Sequence, residues 1–225
     1  MTPEAAAAGP EPTVFVIDDD AAMRRALDAL FRSAGMPVAT HASTRAFLEA
    51  AGRDAAGCLV LDVRMPGESG LEFQRRLGGL GIRLPIVFIS GHGDIPMSVA
   101  AMKAGAVEFL AKPFSDADLL RAVEEGLALD RRRRREAAAT ASLRERYMLL
   151  TARERQVMAG VVSGRLNKQI AFDLGLSEIT IKLHRGQVMQ KMAAASVVDL
   201  VRFADRLAAD GAVPPPDPAR EETKV

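Results

Sequence analysis

The chain contains no tryptophan, one tyrosine and one cysteine in 225 residues, and aromatic residues make up only 4% of it. So thin an aromatic supply leaves out the stacking platforms that single-stranded RNA recognition favours. A lone cysteine excludes an internal disulfide framework. Cys58 lies inside an apolar run and reads as a buried thiol in a reducing compartment. No apolar run approaches the ~20 residues that span a bilayer. The Ala/Pro-rich stretch Met1–Pro12 has neither the basic start nor the apolar core of a secretory signal. The expectation is a soluble, cytoplasmic protein with no membrane partner. A hydrophobic content of 48% is ample for buried cores, and the length suits one or two domains.

Net charge is only +1, but it is unevenly placed. Residues 1–125 hold 12 Lys/Arg and 17 Asp/Glu, a balance of −5, and residues 126–225 hold 18 and 12, a balance of +6. An acidic half joined to a basic half suggests a cation-binding module tied to a nucleic-acid-binding one. The block Arg131–Arg135 reads as a solvated helix face or as a contact to DNA phosphate.

Strand signals fall at 14–17, 36–40, 58–61, 85–90 and 106–110, with amphipathic helix patterns between them. Examples are Met23, Leu27, Leu30 and Phe31, then Leu71, Phe73 and Leu77, then a pattern from about Pro96 to Lys103. Such alternation implies a five-stranded parallel sheet with helices on both faces and a crevice at the carboxyl ends of its strands. A last helix pattern begins near Asp116, carries Leu119, Leu120, Val123 and Leu127, and meets no stop signal apart from Gly126. Residues 127–147 therefore read as a helical linker, continuous with that helix. From Leu149 to about Ala209 there are only short helical segments, separated at Gly164, Gly175 and Ala193–Ser196. The ends, 1–12 and 210–225, read as disordered.

Two of the strands end in acid. Val14–Ile17 runs into Asp18, Asp19 and Asp20, and Cys58–Leu61 runs into Asp62. Carboxylates crowded into one crevice repel unless a cation neutralises them, which points to a divalent metal and phosphoryl chemistry. Lys112 follows the fifth strand and offers positive charge to a phosphoryl group. Ser90 ends the fourth strand and offers a hydroxyl donor. Each also has a plainer reading: Lys112 as a surface lysine, Ser90 as a cap. Asp20 reads as an N-terminal helix cap or as a ligand.

The ordered set Ile17-Asp18-Asp19, Leu61-Asp62-x-x-Met65-Pro66-x-x-x-Gly70, Val87-Phe88-Ile89-Ser90 and Lys112-Pro113-Phe114 resembles the receiver domain of two-component response regulators, over about residues 13–126. The resemblance implies a flavodoxin-like, doubly wound α/β fold. It implies that Asp62 is the phosphoacceptor for a partner sensor histidine kinase. Mg²⁺ (or Mn²⁺) would be held by Asp18, Asp19, Asp62 and the backbone carbonyl of Arg64. Lys112 would pair with the phosphoryl group and Ser90 would swing to meet it. Phe109 fills the family's aromatic switch position, or is a simple core phenylalanine. A rival resemblance is to haloacid-dehalogenase-type phosphatases, with Asp18 as nucleophile and Asp20 as general acid. Ala22 departs from that pattern, which also leaves Asp62-x-x-Met65-Pro66 without a role.

A second set covers 148–209: Leu150-Thr151-x-Arg153-Glu154, Asn167-Lys168-x-Ile170-Ala171, Thr180-Ile181-Lys182-x-His184 and Lys191-Met192. It resembles the small all-α LuxR-type helix-turn-helix domain of NarL/FixJ response regulators. The linker and the Gly91–Asp94 loop favour the FixJ side. Asn167–Leu174 reads as a short helix stopped near Gly175, and Ser177 can cap a recognition helix reaching Met192. Stepping about 100° per residue, Ile181, Val188 and Met192 share the core face. The opposite face carries Leu183, Gly186, Gln187 and Gln190, with Lys182 at its flank. Gln can pair with adenine and Leu183 can meet a thymine methyl. Lys168, Thr180, Lys182 and Lys191 are expected to contact phosphates. Gly186 departs from relatives that place a lysine there. Arg153 and Glu154 are assigned structural work through a cap or ion pair. An RNA-binding or protein-interaction module, the latter resembling sigma-factor region four, remains the alternative.

Together the two resemblances imply a non-enzymatic transcription regulator controlled by phosphorylation. Its partners would be a sensor histidine kinase and double-stranded promoter DNA, with RNA polymerase a further candidate. Phosphorylation would drive homodimerisation through the face formed by the fourth and fifth βα units.

Overall fold

A computed structural model describes residues 11–52, 55–91 and 95–211. The expected disorder of 1–10 and 212–225, and His92–Asp94 of the diagnostic loop, lie outside the described residues. The chain divides into two compact units, Met1–Arg134 and Arg135–Val225.

In the first unit β1 (Thr13–Ile17), β2 (Val38–His41), β3 (Gly57–Asp62), β4 (Ile86–Ser90) and β5 (Glu108–Ala111) form one parallel sheet in the order β2-β1-β3-β4-β5. Between them run α1 (Ala21–Ser33), α2 (Thr44–Ala50), α3 (Gly70–Gly79) and α4 (Ile95–Lys103), and α5 (Asp116–Met148) follows β5. This is the flavodoxin-like doubly wound fold, which opens its crevice where the strand order reverses, between β1 and β3. The alternation along β3 sorts the core into two layers. Leu59 and Leu61 face Phe47 of α2 and Phe73 and Leu77 of α3. Cys58 and Val60 face Leu27 and Phe31 of α1 and Leu119, Ala122 and Val123 of α5.

β3 is buried along its whole length, as an unbroken apolar central strand should be. β2 starts two residues later than its pattern suggested and is only partly buried, in keeping with an edge strand. β5 starts at Glu108 rather than 106, because Gly105 turns the chain at φ 89° just before it.

α5 runs unbroken through the arginine block, so the linker is continuous with the preceding helix. Its packing on the first unit extends past residue 126. The buried Asp130 carboxylate accepts from the backbone N–H of Gly57 at 2.9 Å and from Arg134 Nε at 2.8 Å. Arg134 also donates to the carbonyl of Ala55. Gly126 permits this approach: a Cβ there would lie 2.5 Å from Cys58 Sγ.

The second unit comprises the end of α5, then α6 (Ala152–Val162), α7 (Asn167–Leu174), α8 (Glu178–Met192) and α9 (Val197–Ala209). Thr151 and Ser196 open α6 and α9 with capping boxes, completed by Glu154 and Asp199. Ser177 caps α8, and Gly175 ends α7 in the left-handed region at φ 63°. Val157, Met158, Ile170, Ile181, Val188, Met192 and Leu200 form one core.

Candidate functional site

Parallel strands deliver their last side chains to one edge, so Asp18 and Asp62 emerge side by side after β1 and β3. Lys112, just past β5, reaches both. Its Nζ donates to Asp18 Oδ2 at 3.0 Å and to Asp62 Oδ2 at 3.2 Å. Asp18 is fully buried, Asp62 nearly so, and the Lys112 side chain is 20% exposed. Asp18, Asp19 and Asp62 present carboxylate oxygens within 4.8 Å of one another. One ammonium facing three carboxylates leaves negative charge unbalanced, and an all-oxygen donor set of this kind suits a hard divalent cation. Burial raises the Asp18 carboxyl above its ordinary range despite its bonds to Lys112 and to the Asp20 N–H. Burial alone would lower Lys112, but its hydrogen bonds and charge pairing with Asp18 and Asp62 outweigh it and raise the ammonium instead.

The backbone around this pocket is tightly specified. Arg24 Nη1 donates to the carbonyls of Asp18 at 2.7 Å and Asp19 at 2.9 Å, clamping the turn that carries both acids. Sequence reasoning did not single out Arg24; its place one turn into α1, six residues past Asp18, was the available signal. The Gly70 of Met65-Pro66-x-x-x-Gly70 is explained by space, since a Cβ there would lie 2.5 Å from the Asp62 carbonyl. The Asp20 carboxylate accepts from Ala22 N–H at 2.7 Å as the α1 cap. Arg64 N–H donates to Asp62 Oδ1 at 3.3 Å. Ser90 is buried at the end of β4, and its carbonyl accepts from Lys112 N–H at 2.7 Å. Phe109 is half-buried on β5, its ring centroid 6.3 Å from that of Phe88.

In the second unit, Ile181, Val188 and Met192 are fully buried on α8, and Lys182, Leu183, Gln187 and Gln190 are exposed, as is Lys168 on α7. Thr180 is partly buried, its hydroxyl 2.8 Å from that of Ser177 within the α8 cap. Lys191 is engaged elsewhere than expected: its Nζ donates to both carboxylate oxygens of the buried Glu154, at 2.9 and 2.7 Å. Glu154 thus has the structural work expected of it. Arg185 of α8 donates to Asn167 Oδ1 at 2.9 Å and ties α7 to α8.

The sequence model of the response regulator receiver domain matches residues 14–124, and that of the bacterial regulatory proteins of the luxR family matches 148–204. The chain belongs to the response regulators with a LuxR-type DNA-binding domain. It is 51% identical over 194 residues to nodulation protein W of Bradyrhizobium diazoefficiens, covering 86% of each chain. It is 46% identical over 191 residues to the transcriptional regulatory protein FixJ of Azorhizobium caulinodans, covering 85% of this chain and 90% of that one. Among solved structures, the response regulator StyR is 48% identical with a TM-score of 0.79, over 87% of this chain and 99% of that one. This response regulator is accordingly a transcription regulator of the NarL/FixJ type. Among the described residues no helix is long and apolar enough to cross a membrane.

Proposed function

We propose that Asp62 accepts a phosphoryl group from a partner sensor histidine kinase and that this controls dimerisation and sequence-specific binding to promoter DNA. The observation that carries the reading is the Lys112 ammonium set between Asp18 and Asp62 at 3.0 and 3.2 Å. An Asp62 carboxylate oxygen attacks the phosphorus of the donor phosphohistidine. The P–N bond breaks, its electron pair stays on the imidazole nitrogen, and an acyl phosphate remains on Asp62. Lys112 turns its ammonium from the carboxylate to a phosphoryl oxygen, where charge accumulates in transfer. Asp18, Asp19, Asp62 and the Arg64 carbonyl are the groups that would hold Mg²⁺ (or Mn²⁺), which supplies further positive charge to those oxygens when bound.

Once the phosphoryl group is present, the Ser90 hydroxyl moves to donate to it, and Phe109, packed beside Phe88, follows into the vacated space. That remodels the surface of α4 and β5, on which a second copy docks. The DNA half then reads base edges through Leu183, Gln187 and Gln190, with Lys168, Thr180 and Lys182 at phosphates. Lys191 is reassigned to holding Glu154.

Peptide mapping after incubation with Mg²⁺ and acetyl phosphate tests the chemistry. A labile phosphoryl adduct is expected on the Asp62 peptide and none on the Asp62→Asn variant. An adduct on Asp18 would instead favour a phosphatase. Sedimentation of the Asp62→Ala variant tests the switch, because phosphodonor-dependent dimerisation that survived this change would contradict it.

A further inference from the structure

Ile179 is 83% exposed and Leu183 63% exposed, one helical turn apart on α8. Stepping about 100° per residue, the two straddle the direction opposite Ile181, Val188 and Met192, each about 20° from it. They sit at the middle of the free face; Gln190 continues the same line about two turns further on, and Gln187 lies to one side of it. Scattered exposed apolar residues are ordinary. Two on the axis of a helix that a DNA-binding domain presents outward, with the core face fully occupied, are a surface of defined chemistry.

The polar groups of α8 sharpen that chemistry. Guanine is read chiefly by Arg or Lys, yet Arg185 is turned to Asn167 and Lys191 to Glu154. Lys182, at the flank, is the remaining cation of the helix. Nothing lies within 4 Å of a Cβ built on Gly186, so the backbone there carries no spacer toward the groove. The face therefore offers two branched apolar side chains and two carboxamides. Their complements in the major groove are the thymine methyl and the adenine edge.

We propose that Ile179 and Leu183 together form an apolar reading edge that packs on thymine 5-methyl groups, biasing this regulator toward A·T pairs at the centre of each half-site. The proposal rests on the reading of α8 as the recognition helix and adds Ile179 to its contacts.

The test uses the full-length chain with acetyl phosphate and Mg²⁺ to select bound duplexes from a randomised library. Single thymines of the selected site are then replaced by deoxyuridine, which removes only the methyl group. Replacement at a contacted position is expected to weaken binding about fourfold, the general worth of one buried methyl group. Ile179→Ser and Leu183→Ser are each expected to bind the thymine duplex less tightly and to become indifferent to deoxyuridine at one position. Both side chains are exposed, so neither change should disturb folding, and circular dichroism checks that. Binding that ignores deoxyuridine at every position overturns the proposal and leaves the DNA reading of α8 standing. So does a Ser variant as sensitive as the parent, which would assign the apolar pair to a protein surface. Failure to select any duplex overturns the DNA reading itself.

Discussion

Lys191 and Glu154 form an ion pair in which both carboxylate oxygens accept from one ammonium, at 2.7 and 2.9 Å, and the Glu154 side chain is 3% exposed. The pair fastens the last turn of α8 to the first turn of α6. Removing the ammonium leaves a buried acceptor short of a partner, at a general cost of about 1–3 kcal/mol. Lys191→Ala should therefore lower the stability of the second unit in urea titrations and leave the salt dependence of DNA binding unchanged. Lys182→Ala should do the reverse, weakening binding on all duplexes and reducing the log–log salt slope by about 0.9 per lost phosphate contact. Equal salt slopes for Lys182→Ala and the parent would remove Lys182 from the contact set.

The same carboxylate gives the second unit an acid-sensitive element. The hydrogen bond from Lys191, and next the Thr151 backbone N–H, hold the Glu154 carboxyl below its ordinary range of about 4.3. Its folded value lies below its unfolded one. The stabilisation is thus complete above the ordinary value and is lost as pH falls through the depressed one. Chemical denaturation from neutral pH downward should show a shallower acid limb for Glu154→Gln than for the parent.

Millimolar Mg²⁺ should raise the melting temperature of the first unit, because a ligand that binds only the folded state stabilises it. Asp18→Asn and Asp19→Asn should abolish the shift. Asp20→Ala should keep it while losing about 0.5–2 kcal/mol of stability, the worth of an N-cap. A Mg²⁺ shift that survived in Asp19→Asn would place the ion elsewhere.

Cys58 and Gly126 should behave as a coupled pair. The 2.5 Å approach of an added Cβ to the sulfur forces the Cys58 side chain, or the helix and strand that carry the pair, to shift in Gly126→Ala, at about 1–3 kcal/mol. Cys58→Ala should recover part of that loss, so a double-mutant cycle reads the contact directly. Burial, and next the charge of Asp130, push the thiol up to about 12. Iodoacetamide at neutral pH should accordingly label Cys58 only at the rate of unfolding.

The features legible in the sequence were those written by periodicity and by strand-end chemistry. The apolar runs ending in Asp18 and Asp62 placed both acids at one sheet edge, and the 3.6-residue period assigned Ile181, Val188 and Met192 to the core of α8. What stayed hidden depended on partners distant in sequence. Lys191 looked like a phosphate contact because its carboxylate lies 37 residues away. The packing of α5 on the first unit past residue 126 was likewise not written locally, because Asp130 bonds Gly57, 73 residues earlier. Ile179 was open to the same period, which puts it opposite Ile181, Val188 and Met192; its high exposure is what the fold adds.

β3 carries Asp62 at one end and, at the other, Gly57, whose N–H is held by Asp130 of α5. The six residues of the strand, both ends included, rise roughly 17 Å from the first to the last. The strand is clamped on both sides by β1 and β4, so its stiffest direction is its own length. The strand that carries Asp62 is therefore anchored at its far end to the middle of α5 through a single carboxylate, that of Asp130.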